Sequence, residues 1–312
     1  MAKILFSTRR AALALSCAAF TACAAPGYGP SSHYASVPAA ILRPTSTVNG
    51  DLFYTDGSDL TECHGAACNV CKPIGGGPLG VTTGSSAPSS DIVTGGSVLV
   101  ADFSGQDIAQ YDSSCTLTAV YYDTGYQPED AAFGPSGEIA WTNNSTTSFG
   151  NGNITFYQNG KKSRVATGLF AHFWFGAFDK RGDFFNDGET ASGTVEIGVV
   201  PPGSTIDQAS KISGVLGPGG IVVARNGTVN IVDSLCPCIR IYKSTKQVGD
   251  VMLTGAVAPV SLALNKKNTI VWVTDESNGT VAAYPYPKGG KPVTMFNVPN
   301  AFGVGILPAP PN

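Results

Sequence analysis

Six short apolar runs, each ending at a small acid or amide, recur along this chain, and their spacing restricts the fold more than any other feature. They are Leu52–Asp56, Val98–Asp102, Glu138–Asn143, Asp183–Asp187, Val229–Asp233 and Ile270–Asp275, with terminal residues 46, 41, 44, 46 and 42 positions apart. Such a period signals one supersecondary unit repeated in an array, because each unit can bury its apolar face only against a neighbour. From the second unit onward another run follows: Asp107–Tyr111, Asn153–Tyr157, Thr194–Ile197, Ile239–Tyr242 and Thr280–Tyr284. Turn formers such as Ser104-Gly105, Asn151-Gly152, Ser192-Gly193 and Asn278-Gly279 separate the two runs, as a hairpin requires. A third stretch precedes the first run in most units, as in Asp130–Phe133, Trp174–Phe178, Ile221–Ala224 and Ser261–Leu264. Three to four strands in every unit predict propeller blades.

The two ends of the array supply a check. Phe302–Leu307 matches the stretch that opens each unit, yet only a short tail follows it, while the first unit lacks that stretch. A circular array uses the last strand to complete the first blade and removes two exposed sheet edges. The predicted fold is therefore all-β: a six-bladed β-propeller over residues 48–308, its first blade closed by the C-terminal strand. The 38 glycines and 21 prolines argue against a helical bundle.

Leu99-Val100-Ala101-Asp102 followed by Ile108, Gln110, Tyr111 and Asp112 resembles the NHL-type propeller repeat, as does Val273-Thr274-Asp275 with Asn278-Gly279-Thr280-Val281. The resemblance is to the NHL/YncE-like six-bladed superfamily, whose blade pattern the SMP-30-like and streptogramin-lyase-like groups share. It implies a disc with a central channel. The loops of many members bind partners, and a few members carry metal-dependent hydrolysis or lyase chemistry there.

Residues 1–23 have the layout of an export signal. Lys3, Arg9 and Arg10 precede the apolar Ala11–Leu15, and small residues surround Cys17 and Cys23. The apolar part is too short to span a bilayer. Phe20-Thr21-Ala22-Cys23 resembles a bacterial lipoprotein cleavage box, which implies lipidation of Cys23; a soluble periplasmic or extracellular product is the other outcome. Residues 24–47, rich in Pro, Ser and Ala, read as a tether.

The remaining cysteines, Cys63, Cys68, Cys71, Cys115, Cys236 and Cys238, are even in number and suit disulfides in an oxidising compartment. Cys63, Cys68 and Cys71 are close enough to form a local knot. Cys236-Pro237-Cys238 would be strained if bridged to itself, so partners elsewhere are expected. Cys63-His64 with Cys68 and Cys71 also offers zinc ligands. Lys72 after Cys71 excludes the simple haem attachment motif, and nothing around Cys68–Cys71 resembles a thioredoxin-like unit.

No catalytic motif stands out. The repeat acids Asp102, Asp187, Asp233 and Asp275 would cap the turns that follow them; aimed at the axis instead, they would form an oxygen site for Ca2+ or Mg2+. Glu129, Asp130 and Glu189 are the acids the repeat does not explain, and His172 is the one histidine placed to act as a general base. The aromatic group Phe170, Phe173, Trp174, Phe175 and Phe178 fits either a ligand patch or packing between blades.

The net charge of −3 and the lack of a basic cluster give no reason to bind nucleic acid. The expectation is a monomeric, noncatalytic propeller of the cell envelope or its exterior, without a transmembrane span or cofactor, that binds a protein, peptide or glycan through its loops. The alternative is a metal-dependent hydrolase or lyase of the SMP-30-like or streptogramin-lyase-like kind, using Ca2+, Mg2+ or Zn2+ at the channel mouth.

Overall fold

The computed structural model describes residues 50–56, 60–64, 67–71, 89–92, 97–103, 105–148 and 150–308. The leader, Cys23 and the tether lie outside the described residues. Six four-stranded antiparallel sheets make up the fold. From the innermost strand outward, blade 1 uses Val304–Pro308, Gly50–Thr55, Leu60–His64 and Ala67–Val70. Blade 2 uses Ser89–Ile92, Ser97–Asp102, Asp107–Asp112 and Leu117–Tyr122. Blade 3 uses Tyr126–Phe133, Ile139–Thr146, Asn151–Gln158 and Lys161–Ala166. Blade 4 uses His172–Phe178, Phe184–Glu189, Val195–Val200 and Gln208–Ala209. Blade 5 uses Ile221–Val223, Thr228–Asp233, Cys238–Lys243 and Lys246–Met252. Blade 6 uses Pro259–Leu264, Ile270–Asp275, Thr280–Pro285 and Thr294–Asn297.

The C-terminal strand closes the first blade as the sequence predicts. Leu52 faces Ile306, Phe53 faces Gly305 and Tyr54 faces Val304 in an antiparallel ladder. Inner strands of successive blades touch all the way round, and that of blade 6 meets that of blade 1. The core follows from this ring. A strand with apolar side chains on both faces needs a neighbour on each side, and the buried clusters lie between adjacent blades. Trp272, Phe296, Leu52 and Val304 join blades 6 and 1. Phe53, Val98 and Tyr111 join blades 1 and 2, and Leu99 with Trp141 joins blades 2 and 3. Phe156, Phe173 and Phe184 join blades 3 and 4, Ile197 and Ile231 join blades 4 and 5, and Val251 with Val271 joins blades 5 and 6. Full burial of one such side chain contributes about 1.5–3 kcal/mol.

The cysteine-rich segment of blade 1 forms its third and outer strands, with Cys63 opposite Cys68 across their hairpin. Cys63 is disulfide-bonded. Cys71 leaves the expected local knot and bonds Cys115 of blade 2, 44 residues away, tying two blades together. Cys236 and Cys238 are bonded to each other, their Cα atoms 5.2 Å apart, which corrects the expectation of distant partners. Cys236 closes the turn, its N–H donating to the Asp233 carbonyl, and Cys238 opens the third strand, so the chain itself brings the two together.

In every blade the inner strand begins beside the end of the second strand: Ala171 N–H donates to the Glu189 carbonyl, and Glu276 N–H to that of Ala258. The hairpins between second and third strands therefore share one face of the ring, called the hairpin face below.

Candidate functional site: the channel mouth on the hairpin face

Three inner strands carry a β-bulge near this face. In blade 3, Pro128 faces Asn143 and Asp130 faces Thr142, so Glu129 has no partner in the ladder. Blade 4 slips between Phe173 and Gly176, and blade 6 between Pro259 and Leu262. A bulge frees one residue from pairing and re-aims its side chain.

The bulges also fix the phase of the repeat. Asp275 faces Pro259, and Thr274 sits opposite the bulge, where its hydroxyl accepts from Ser261 N–H and donates to the Phe302 carbonyl of blade 1. Thr142 donates likewise to the Trp174 carbonyl of blade 4. In blade 4 the residue opposite the bulge is Asp187. Its Oδ1 accepts from Phe175 N–H at 2.8 Å and its Oδ2 from Gly219 N–H of blade 5 at 2.7 Å. Asp187 thus occupies the position of Thr142 and Thr274, one residue out of step with Asp233 and Asp275, and a one-residue step points a side chain to the opposite face of its strand.

The other repeat acids hold their own loops. Asp102 accepts from Gly105 N–H at 2.7 Å. Asp233 accepts four donors: Gly217 and Leu235 N–H on Oδ1, and Leu216 N–H and Arg240 Nε on Oδ2. Asp275 accepts from the backbone N–H groups of Val257, Ala258 and Asn278. Asn143 donates to Asp123 and Asn153 within blade 3.

Glu129, Asp130 and Asp187 act on one another electrostatically. Burial raises the Glu129 carboxyl to about 8, helped by the charges of Asp130, Glu276 and Asp187. Burial raises Asp187 to about 8 against its two backbone donors. Asp130 is raised by burial and held back by N–H groups of Gly176 and Ala131; Gly176 donates to its Oδ2 at 3.0 Å. Glu276, on the hairpin of blade 6, is also raised, by burial and by Asp275. Blades 3 and 6 stand opposite each other in the ring, yet the charge of Glu276 reaches Glu129.

His172 and Glu189 face each other across the first two strands of blade 4. The His172 Nδ1 lies 3.3 Å from the Asn144 carbonyl. The aromatic group packs between blades: Phe170 meets Phe173 edge-on, and Phe178 packs against Phe156 and Phe184. Phe175 instead stacks on Phe302, ring centroids 6.0 Å apart, joining blades 4 and 1 across the ring. Leu216, Leu235 and Val257, all in loops of the hairpin face, are exposed.

Among the described residues, Asp233, Cys236 and Cys238 form a group whose ligand atoms lie within 4.8 Å of one another, close enough for a metal ion. This corrects the expectation of a propeller without a cofactor and favours its metal-binding alternative; the sequence does not show the group, because Cys236 and Cys238 read there as bridged to partners elsewhere. The two sulfurs are bonded to each other here, so they become ligands only when reduced.

No family model matches the chain, and no curated protein matches it. A chain in "Crystal structure of Nidogen/Laminin Complex" superposes with a TM-score of 0.64 at 15% identity, over 83% of this chain and 98% of that one. The likeness is one of fold. It supports the six-bladed architecture independently of the sequence repeat. Among the described residues, no helix is long and apolar enough to cross a membrane.

Proposed function

We propose that this chain is an exported, NHL-type binding propeller that engages a protein segment at the hairpin-face mouth of its channel. The observation that carries the reading is the bulged, unpaired Glu129 near the hairpin face, which the charges of Asp130, Asp187 and the exposed Glu276 all reach. A lysine or arginine from a partner would favour the charged forms of these acids and lower their raised values, and exposed Leu216, Leu235 and Val257 offer apolar contact on the same face. The chain of similar fold comes from a structure named for a nidogen/laminin complex. Export rests on the leader at residues 1–23, with Cys23 as the acylated anchor and residues 24–47 as the tether.

Binding to arrayed cationic peptides tests this. Wild type is expected to bind a subset in a salt-sensitive way, and the double variant Glu129→Gln, Glu276→Gln is expected to lose at least tenfold in affinity. Unchanged affinity in the variant would remove the basis of the reading.

The titratable groups favour a second reading, metal-dependent hydrolase or lyase chemistry at the same mouth. Glu129 and Asp187 are raised by burial and by neighbouring acids, and a bound cation would reverse those shifts. Near-integral Ca2+, Mg2+ or Zn2+ in purified protein, lost together with a hydrolytic activity on chelation, would favour it over binding alone.

A further inference from the structure

We propose that the Cys236–Cys238 disulfide is a thiol–disulfide exchange site that accepts electrons from a dithiol on a partner protein. The inference does not depend on the binding reading. Three observations carry it. The bridge spans a single residue, Pro237, whose pyrrolidine ring leaves the small disulfide ring little freedom to relax. The two sulfurs differ in access, because Cys238 is fully buried in its strand while Cys236 is half-buried in the hairpin. The neighbouring Leu235 is 60% exposed and Leu216 57%, an apolar surface beside the accessible sulfur.

A metal site is the competing use of the same atoms, but Asp233 already accepts four N–H donors, one of them from the Arg240 guanidinium at 2.7 Å. Its lone pairs are occupied and its charge is neutralised.

The exchange balances as follows. A partner thiolate attacks Cys236 Sγ, the Cys236–Cys238 bond breaks, and Cys238 leaves as a thiolate that takes up a proton. The partner's second thiolate then attacks its own sulfur in the mixed disulfide, forming the partner's disulfide and releasing Cys236 as a thiolate. Two electrons pass from the partner dithiol to this chain, and the two protons lost by the partner's thiols end on Cys236 and Cys238. The half-buried Cys236 sulfur is the one open to attack, and opening the small ring favours the first step.

The test equilibrates the oxidised protein with dithiothreitol buffers of graded reduced-to-oxidised ratio, quenches with acid, and counts alkylated cysteines by peptide mass spectrometry. Cys236–Cys238 is expected to open at a ratio at least tenfold lower than Cys71–Cys115. Equal or greater resistance would overturn the proposal. In a second arm, oxidised glutathione should add to Cys236 in Cys238→Ser at least tenfold faster than to Cys238 in Cys236→Ser, both variants first shown to be folded by circular dichroism. Equal rates would count against it, and so would reduced wild type that takes up one Zn2+ per chain and thereby becomes inert to glutathione.

Discussion

Asp207 and Asn186 show how a buried carboxyl sets local behaviour. Asn186 Nδ2 donates to Asp207 Oδ1 at 3.0 Å, while Asp207 Oδ2 and Asn186 Oδ1 are both buried without a partner. A proton removes the buried charge and gives Oδ2 a hydrogen to donate, and burial raises this carboxyl to about 6. Because the folded value lies above the unfolded one, the associated stability is full below about pH 4 and is lost as pH rises through about 6. Asp207→Asn supplies the same donor permanently. It is expected to match wild type at pH 4 and exceed it by roughly 2 kcal/mol at pH 7 in urea unfolding. Asp187 carries a different lesson. Counting from strand ends aligned it with Asp233, because a bulge in the neighbouring strand leaves no trace in residue spacing; only the ladder shows it to be an acid where blades 3 and 6 have threonine.

Strands with alternating apolar residues were legible, and so was the closing strand, whose Val304 and Ile306 fill the seam between blades 6 and 1. Two kinds of element were not. Ser89–Ile92 is mostly polar, and Leu60–Val70 is interrupted by cysteines that invited other chemistry. The Cys236–Cys238 bridge escaped because ring strain argued against the contact that the hairpin enforces. The closing strand gives a direct measurement. Val304→Asp buries an unpaired charge and should lower unfolding free energy by more than about 3 kcal/mol. Val293→Asp, beside the exposed outer strand of blade 6, should stay within about 0.5 kcal/mol. Similar losses for both, in denaturant titrations, would mean that the closing strand is not what holds the ring.

Across the whole propeller, the acids at the mouth make stability depend on pH in an unusual direction. Glu129 and Asp187 hold protons to about 8 in the folded protein, whereas the unfolded chain releases them near 4. Folding therefore binds protons between these limits, and stability present below about pH 4 declines as pH climbs toward about 8. Thermal melts from pH 5 to 9 should show a falling midpoint, and Glu129→Gln should flatten that fall. A midpoint that rises over this range would contradict the placement of these acids. The Phe175–Phe302 pair, drawn from opposite blades, has a further consequence for anything that enters. The stacked rings cross from one side of the ring to the other and obstruct the axis there, so a polypeptide cannot be threaded through. An occupant must leave by the opening through which it arrived.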